Sequence, residues 1–526
     1  MKRIAIILLI ILNFLLILSI LSNHFDFDFG WHLRFGQDFT QTGKFPYLDT
    51  YTFTHFGQRW INHEWGNDIL TWTLYKYCGY WLLNILSALA VLGSFLVALK
   101  IFFKKITVTQ LIVTALLASS VQHILVTRPA MYSLFFFAVL WFLLERLPQK
   151  PAYLFFPIII WFWSLLHGGW VLGFIVIAAY FVGNIFNALC KKFIPNWRQN
   201  INEWNKKTYL YVALSTVVAV LLLLINPYGL DIIKEVASYF QQDYFKSHII
   251  EWIPSYTYPI FWSTLFVSAV ALVIASIGLF YKRISWPQFF LLIALFCSGW
   301  QYKRNMLFLM IVAAPVIVAG LNWMAERIKN SLNWQAGSWP KIIKLGWGLG
   351  IFIIIALITL FALRTRWSND VWRDETLLNR YQTPVAVAKF LNNTQANERL
   401  LIFNEFAWGA PLIWQVPQAL YFLDGRGTAT WKIDGTNSTT LEVYLDILQT
   451  NGLDQLKNYP VNYVILQKSN VGFYKPDAIN KLIFSASDLK QILDTSPTKL
   501  EKDLRVSPDW NLVFEDGISL VWKKIK

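Results

Sequence analysis

KRIAIILLIILNFLLILSILSNHFDFDFGWHLR, residues 2–34, sets the reading of the whole chain. Two cations precede an apolar run over 4–22, about as long as the roughly 20 residues a bilayer-crossing helix needs. Directly behind it come two carboxylates, Asp26 and Asp28, followed by Trp31, His32 and Arg34. That order describes a membrane helix opening into a polar, aromatic loop. A cleaved signal peptide is the competing reading, but Ile20-Leu21-Ser22 lacks the small-x-small cleavage pattern. The helix is therefore expected to stay.

The same pattern recurs along the chain. Only 15% of residues are charged and 56% are hydrophobic, far from an ordinary globular mix of roughly 25% charged. Apolar runs fall at 4–22, 80–103, 106–125, 130–147, 151–167, 170–190, 208–225, 259–281, 284–300, 305–325 and 345–365, which predicts about 11 transmembrane helices. The net charge of +15 could suggest nucleic acid, but residues from 367 onward hold 17 basic and 18 acidic groups. The excess lies in short loops between apolar runs, and nucleic acid is not expected as a partner. With Lys2 and Arg3 inside, alternation collects 18 basic residues on the inner side, against the acids Glu145, Glu203 and Glu326. This is the positive-inside asymmetry of a multi-pass protein of the plasma (inner) membrane. Its N-terminus is cytoplasmic and its C-terminal domain extracytoplasmic. Cys78, Cys190 and Cys297 have no paired spacing, so neither a disulfide framework nor a zinc site is indicated.

With this topology the chemically capable side chains gather on the outer face. The outer loop 23–79 carries Asp26, Asp28, His32, His63 and Glu64. Alternation of Asp26-Phe27-Asp28 fits a short strand with both acids on one face. Two close carboxylates suit a general base, or a divalent cation such as Mg or Mn held by Asp26, Asp28 and Glu64. The stretch Gly66–Tyr77 reads as an amphipathic helix lying on the membrane surface. Arg128, Lys303 and Arg304 stand at outer span ends, where a guanidinium can pair with phosphate and an ordinary anchor would snorkel. His167, Asn226 and Glu251 occupy other outer turns as supporting candidates.

Residues 366–526 read as a separate α/β domain beyond a 1–365 transmembrane domain. Thr383 and Pro384 start a helix, apolar runs at 400–403, 419–423 and 461–466 look like buried strands, and Asp516-Gly517 marks a hairpin. Trp408 and the strand-end Asp424-Gly425-Arg426 are candidates for ligand contact in this outer domain, the latter at a place where open α/β sheets bind ligands.

Taken together, Asp26-x-Asp28-x-x-Trp31-His32-Leu33, His63-Glu64-Trp65, Arg128-Pro129, His167-Gly168-Gly169, Asn226-Pro227-Tyr228-Gly229 and Arg304-Asn305 resemble bacterial multi-pass glycosyltransferases of the GT-C fold. The tail resembles the outer domain of a poorly characterised branch of them. The resemblance implies a sugar donor on a polyprenyl phosphate, a glycan, lipid or protein acceptor, and contact with membrane lipids. It makes Asp26 and Asp28 the acidic motif and Glu64 a second acid. A transporter or lipid flippase for envelope precursors is the alternative, though transporters usually place ionisable groups near the bilayer midplane. A non-catalytic envelope assembly protein is the other.

Overall fold

A backbone in hydrocarbon must satisfy its own hydrogen bonds, so the apolar runs are expected to be helices. The computed structural model of the chain has helices at each of the apolar runs that fall among the described residues. It describes residues 2–22, 25–147, 151–194, 203–249, 251–257, 261–331, 383–394, 399–468 and 496–525. The run 345–365, the boundary at 365/366 and the inner-loop positions Arg198, Lys341 and Lys344 lie outside the described residues. In chain order the first helices are α1 (Lys2–Leu21), α2 (Phe29–Thr42), α3 (Trp65–Cys78), α4 (Tyr80–Phe102) and α5 (Val108–Ser120). Then come α6 (Ala130–Glu145), α7 (Phe156–Leu166), α8 (Val171–Phe193), α9 (Lys206–Leu222), α10 (Asp231–Ser238) and α11 (Asp243–His248). Three more, α12 (Trp262–Phe280), α13 (Trp286–Gln301) and α14 (Met306–Ser331), complete the hydrophobic part. Beyond them lie α15 (Val385–Asn393), α16 (Gly409–Gln415), α17 (Thr440–Asp446), α18 (Leu453–Leu456) and α19 (Lys499–Val506).

The chain divides into two compact units. The first comprises 1–24, 81–233 and 249–368. Among its described residues, Arg3–Leu21, Tyr80–Phe102, Gly168–Phe193, Trp262–Phe280 and Lys303–Arg327 are long and apolar enough to cross a membrane, although Tyr80 itself falls in the other unit. Val108–Ser120, Ala130–Glu145 and Ala152–Leu166 are apolar but shorter. At about 1.5 Å per residue, a 13-residue helix such as α5 falls short of the roughly 30 Å hydrocarbon core. Small residues let these helices approach. A Cβ on Gly183 of α8 would lie 2.5 Å from Pro287 of α13, so only glycine permits that crossing.

The second unit gathers three stretches far apart in sequence: 25–80, 234–248 and 369–526. Its sheet has strands β1 (Leu401–Asn404), β2 (Leu420–Tyr421), β3 (Tyr463–Gln467), β4 (Trp510–Glu515) and β5 (Ser519–Lys524), in the order β2-β1-β3-β5-β4. β1 runs parallel to both β2 and β3, with α16 crossing over between β1 and β2. β5 is antiparallel to β3 and β4. Tyr463 to Leu466 are all buried, as a central strand covered on both faces requires. The hairpin turns on Asp516, whose Oδ1 accepts from the backbone of Ile518 and Ser519 and from the Ser519 hydroxyl.

The loop after the first helix is part of this sheet domain. Its two ends meet where Phe29 packs edge-on against Tyr80, ring centroids 4.9 Å apart. In its middle, Leu48 bridges Arg59 to make a small hairpin. Thr52 then pairs in parallel with Tyr421, covering the otherwise open edge of β2. Trp31, Phe35, Tyr51 and Trp60 from the loop share one core with Val387, Leu412, Ile402 and Val521 from the tail. α2 reaches that core because Gly30 lies against the Ala410 carbonyl, where any side chain would collide with backbone.

A buried ion triad closes this arrangement. Arg426 donates through Nε and Nη2 to both oxygens of Asp424 at 2.8 and 2.7 Å, and through Nη2 to Asp49 at 2.9 Å. Its guanidinium lies 4.6 Å from the Tyr51 ring centroid and 4.4 Å from that of Trp60. Removing the cation strands two carboxylates in the core. Arg426→Ala should therefore lower the stability of this unit by about 3–5 kcal/mol, read as a shift in the unfolding midpoint by pulse proteolysis in detergent. A change below about 1 kcal/mol would show that the triad is dispensable.

Candidate functional site

The acidic motif does not form a strand. Asp26 Oδ1 accepts the Asp28 backbone N–H at 3.2 Å, and the Asp26 carbonyl accepts that of Phe29 at 3.1 Å. This Asx-type turn feeds straight into α2, and it wins because aspartate bonds its own backbone two residues on. Asp26 is buried. Asp28 occupies the N-cap position of α2 but makes no side-chain cap bond. Its carboxylate lies instead against Gly425, in the space a side chain there would fill. The partial positive charge of a helix start favours an ionised carboxylate at this position.

His32, one turn into α2, organises the acids around it. Its Nδ1 donates to Asp68 Oδ1 at 2.5 Å, and its Nε2 lies 3.8 Å from Glu64. Asp68 is itself held by Asn62, whose side-chain N–H donates to Oδ2 at 2.6 Å. Glu64 also lies 3.8 Å from His63 Nε2. Burial alone would favour a neutral His32 ring. Asp68, with Glu64 and Asp26 behind it, outweighs burial and brings the pKa up to about 9. The imidazolium is thus the resting form at neutral pH.

The same geometry sets the inward face of α3. Its fully buried residues are Asn67, Asp68 and Thr71, while Leu70 and Tyr77 are exposed. The polar face turns inward to α2, and Gly36 permits the close approach by leaving room for Trp72 and the Asp68 carbonyl. Among the described residues no three of His, Cys, Asp and Glu are grouped to hold a metal ion. Asp26, Asp28 and Glu64 do not fit the divalent-cation site expected of them, since Asp26 bonds the turn, Asp28 faces Gly425 and Glu64 faces two imidazoles.

The first unit carries a cationic cluster of its own. Arg128 pairs with Glu251. The Glu251 carbonyl accepts the Arg304 N–H at 3.3 Å, and the Ile253 carbonyl accepts that of Lys303 at 3.4 Å. The Arg304 guanidinium covers the Trp252 ring at 4.9 Å, and Lys303 Nζ lies 5.6 Å from the Phe261 ring centroid. Burial would raise the Glu251 pKa, but Arg128 and Arg304 together hold it below the usual carboxylate range. Three cations thus surround one carboxylate, an arrangement with charge to spare for an anion.

No family model matches the chain, and no curated protein matches it by sequence. Solved structures do. The archaeal oligosaccharyltransferase AglB from Archaeoglobus fulgidus, in complex with an inhibitory peptide and a dolichol-phosphate, superposes with a TM-score of 0.54 at 11% identity, over 88% of this chain and 69% of that one. The apo form of the A. fulgidus oligosaccharyltransferase gives 0.52 at 11% identity, over 88% and 70%. The chain has the GT-C fold. ArnT from Cupriavidus metallidurans, bound to undecaprenyl phosphate, gives 0.49 at 10% identity over 99% of this chain and 96% of that one.

Other expected site residues have local structural work. His167 Nδ1 accepts the Gly169 N–H at 3.0 Å and faces Ser133 Oγ at 2.7 Å, so it caps the turn into α8. Asn226 accepts from the Tyr228 N–H and donates to the carbonyls of Leu223 and Gly229, holding its own turn. Trp408 is a core residue of the sheet domain. Asp424 and Arg426 form the buried triad with Asp49 rather than an open ligand contact. Asp49, Asn62 and Asp68 were not singled out from sequence. The spacing of Asp68 four residues after Glu64, on one helix face, was the available signal.

The His32–Asp68 pair makes a measurable claim. Because the folded pKa lies above the ordinary 6.5, its stabilising contribution is complete below pH 6.5 and is lost as pH rises through about 9. Asp68→Asn should bring the His32 pKa down to 6.5 or below, followed by imidazole NMR. A His32 that still titrates near 9 in that variant would remove Asp68 as the cause.

Proposed function

We propose that this chain is a membrane glycosyltransferase. It moves a sugar from a polyprenyl-phosphate-linked donor to a glycan, lipid or protein acceptor at the outer face of the plasma (inner) membrane. The observation that carries the reading is Asp28. It is a carboxylate fixed at a helix start directly after the first apolar helix, backed by Asp26 and an imidazolium-bearing acid cluster, in a chain with the GT-C fold. A solved relative in fold holds a dolichol-phosphate, which supports the class of donor.

In this mechanism the acceptor hydroxyl gives its proton to Asp28 as its oxygen attacks the sugar C1. The C1–O bond to phosphate breaks, and the lipid phosphate leaves with the bonding electrons. By charge and chemistry Arg128, Lys303 and Arg304 are the chain's candidate contacts for a donor phosphate. Asp26 orients the Asp28 turn through its backbone bond. His32, kept charged by Asp68, lies 3.8 Å from Glu64.

The N-terminus is placed in the cytoplasm and residues 25–80, 234–248 and 369–526 outside. These three stretches build one unit, so they must share a side of the bilayer. An impermeant thiol reagent added from outside should modify Ser438→Cys and spare Lys104→Cys. The opposite pattern would invert the orientation.

For the activity, lipid-linked sugars and envelope glycans compared by mass spectrometry with and without the protein should differ by one sugar. Asp28→Asn should abolish that difference at a normal protein level, and Asp26→Asn should reduce it severely. Full activity in the double variant would eliminate the base. Arg304→Lys keeps the charge but loses the planar fork, and should cost about 1.5–3 kcal/mol in donor use, measured as kcat/KM. Unchanged kinetics would return Arg304 to a membrane anchor.

A further inference from the structure

Three glycines of the sheet domain, Gly30, Gly409 and Gly425, form a chain of close approaches that ends at Asp28. Gly30 of α2 lies against the Ala410 carbonyl, one residue into α16. Gly409, which opens α16, lies against the segment just past β2. A Cβ there would stand 2.5 Å from the Leu423 carbonyl oxygen and 2.9 Å from Asp424 Cα. Gly425 is next along that segment. A Cβ on it would collide with Asp28 Oδ1 and lie 2.8 Å from Asp28 Cγ and 3.2 Å from Oδ2.

The third contact differs in kind from the other two. Gly30 and Gly409 meet backbone, whereas the three atoms nearest the missing Cβ of Gly425 all belong to the Asp28 side chain. The turn itself does not call for a glycine, because the Gly425 φ is not positive. The segment has no freedom to retreat. Asp424 and Arg426 are buried on either side of Gly425, the Arg426 N–H donates to Asp424 Oδ1 at 2.8 Å, and Asn404 Nδ2 donates to the Leu423 carbonyl at 2.9 Å. α2 is equally confined, by Gly30 below and by the Asp26 bond to the Asp28 N–H. A side chain at 425 would therefore be accommodated by rotation of Asp28 into another rotamer.

We infer that Gly425 is a positioning residue for Asp28: the Asp424-Gly425-Arg426 turn is a fixed floor that sets the carboxylate in the orientation from which it takes the acceptor proton. The inference deepens the glycosyltransferase reading and rests on it. It gives the Asp-Gly-Arg motif a part in the reaction that needs no contact with a ligand.

Two measurements on the full chain in detergent test it. The first reads geometry without activity. Asp28 Cβ is one carbon–carbon bond from a Cγ that lies 2.8 Å from the Gly425 Cβ position, so the two Cβ atoms are no farther apart than a disulfide spans, roughly 3.5–4.5 Å. Asp28→Cys combined with Gly425→Cys should cross-link under mild oxidation, seen by mass spectrometry as a linked peptide pair. Absence of that link overturns the floor. The second measurement reads transfer. Gly425→Ala should lower kcat roughly tenfold to a hundredfold, the scale of a reacting group misplaced by about 1 Å. KM for donor and acceptor should stay within about twofold, and the proteolysis midpoint should not move. Gly425→Val, being larger, should lower kcat further. An unchanged kcat in Gly425→Ala, or a fall in kcat matched by a fall in the midpoint, overturns the positioning role. A wild type that transfers no sugar while the cross-link forms removes the transferase reading and leaves the floor. One that transfers sugar while Gly425→Ala keeps full kcat removes the positioning role alone.

Discussion

A guanidinium taken out of water costs several kcal/mol unless its charge and its donors are met on the spot. Arg426 meets the charge condition through Nε and Nη2, with Asp424 beside it and Asp49 across from it, between the rings of Tyr51 and Trp60. Asp49 is in turn fixed by the Tyr51 N–H and the Thr52 hydroxyl. The triad therefore ties the first loop to the tail at a point where neither can shift without exposing a charge to the core. The position of α2 depends on that tie, and α2 carries Asp28 and His32. Asp28 is held against Gly425 by tertiary packing, while Asp26 holds its own turn.

Within the sheet domain the usual polarity of a surface helix is inverted. α3 spends its polar face on Asp68 and Asn67 inside and leaves Leu70 and Tyr77 outside. An imidazolium pairing with Asp68 is what makes the buried carboxylate tolerable. In the helical unit the balance has the other sign, with Glu251 outnumbered by Arg128, Lys303 and Arg304.

The sequence makes the helices legible because a run such as Ile4–Leu21 has one economical state in hydrocarbon. It also makes the tail legible. Tyr463–Leu466 reads as a covered strand, and Asp516-Gly517 as a turn, because both signals are local. The partners of the site are not local. His32 finds Asp68 at a separation of 36 residues, and Arg426 finds Asp49 at 377. Nothing in one sequence pairs such positions. The alternation of Asp26-Phe27-Asp28 misleads for the opposite reason, since it fits a strand while the Asp26 side chain captures its own backbone first.

Assembly from three separated stretches also fixes an order in time. During synthesis Trp31, Phe35 and Trp60 emerge long before Val387, Leu412 and Val521, with which they share a core. At roughly 5–20 residues per second, the first loop waits on the order of tens of seconds for its other half. Throughout that interval the helices from α4 to α14 must be laid down while a cluster of unburied aromatic rings stands in water. A nascent chain in that state is an adhesive one. Truncation anywhere in the tail, or a stall in its translation, would leave a fully inserted set of helices capped by an unfinished and sticky loop, the kind of product that membrane proteases recognise.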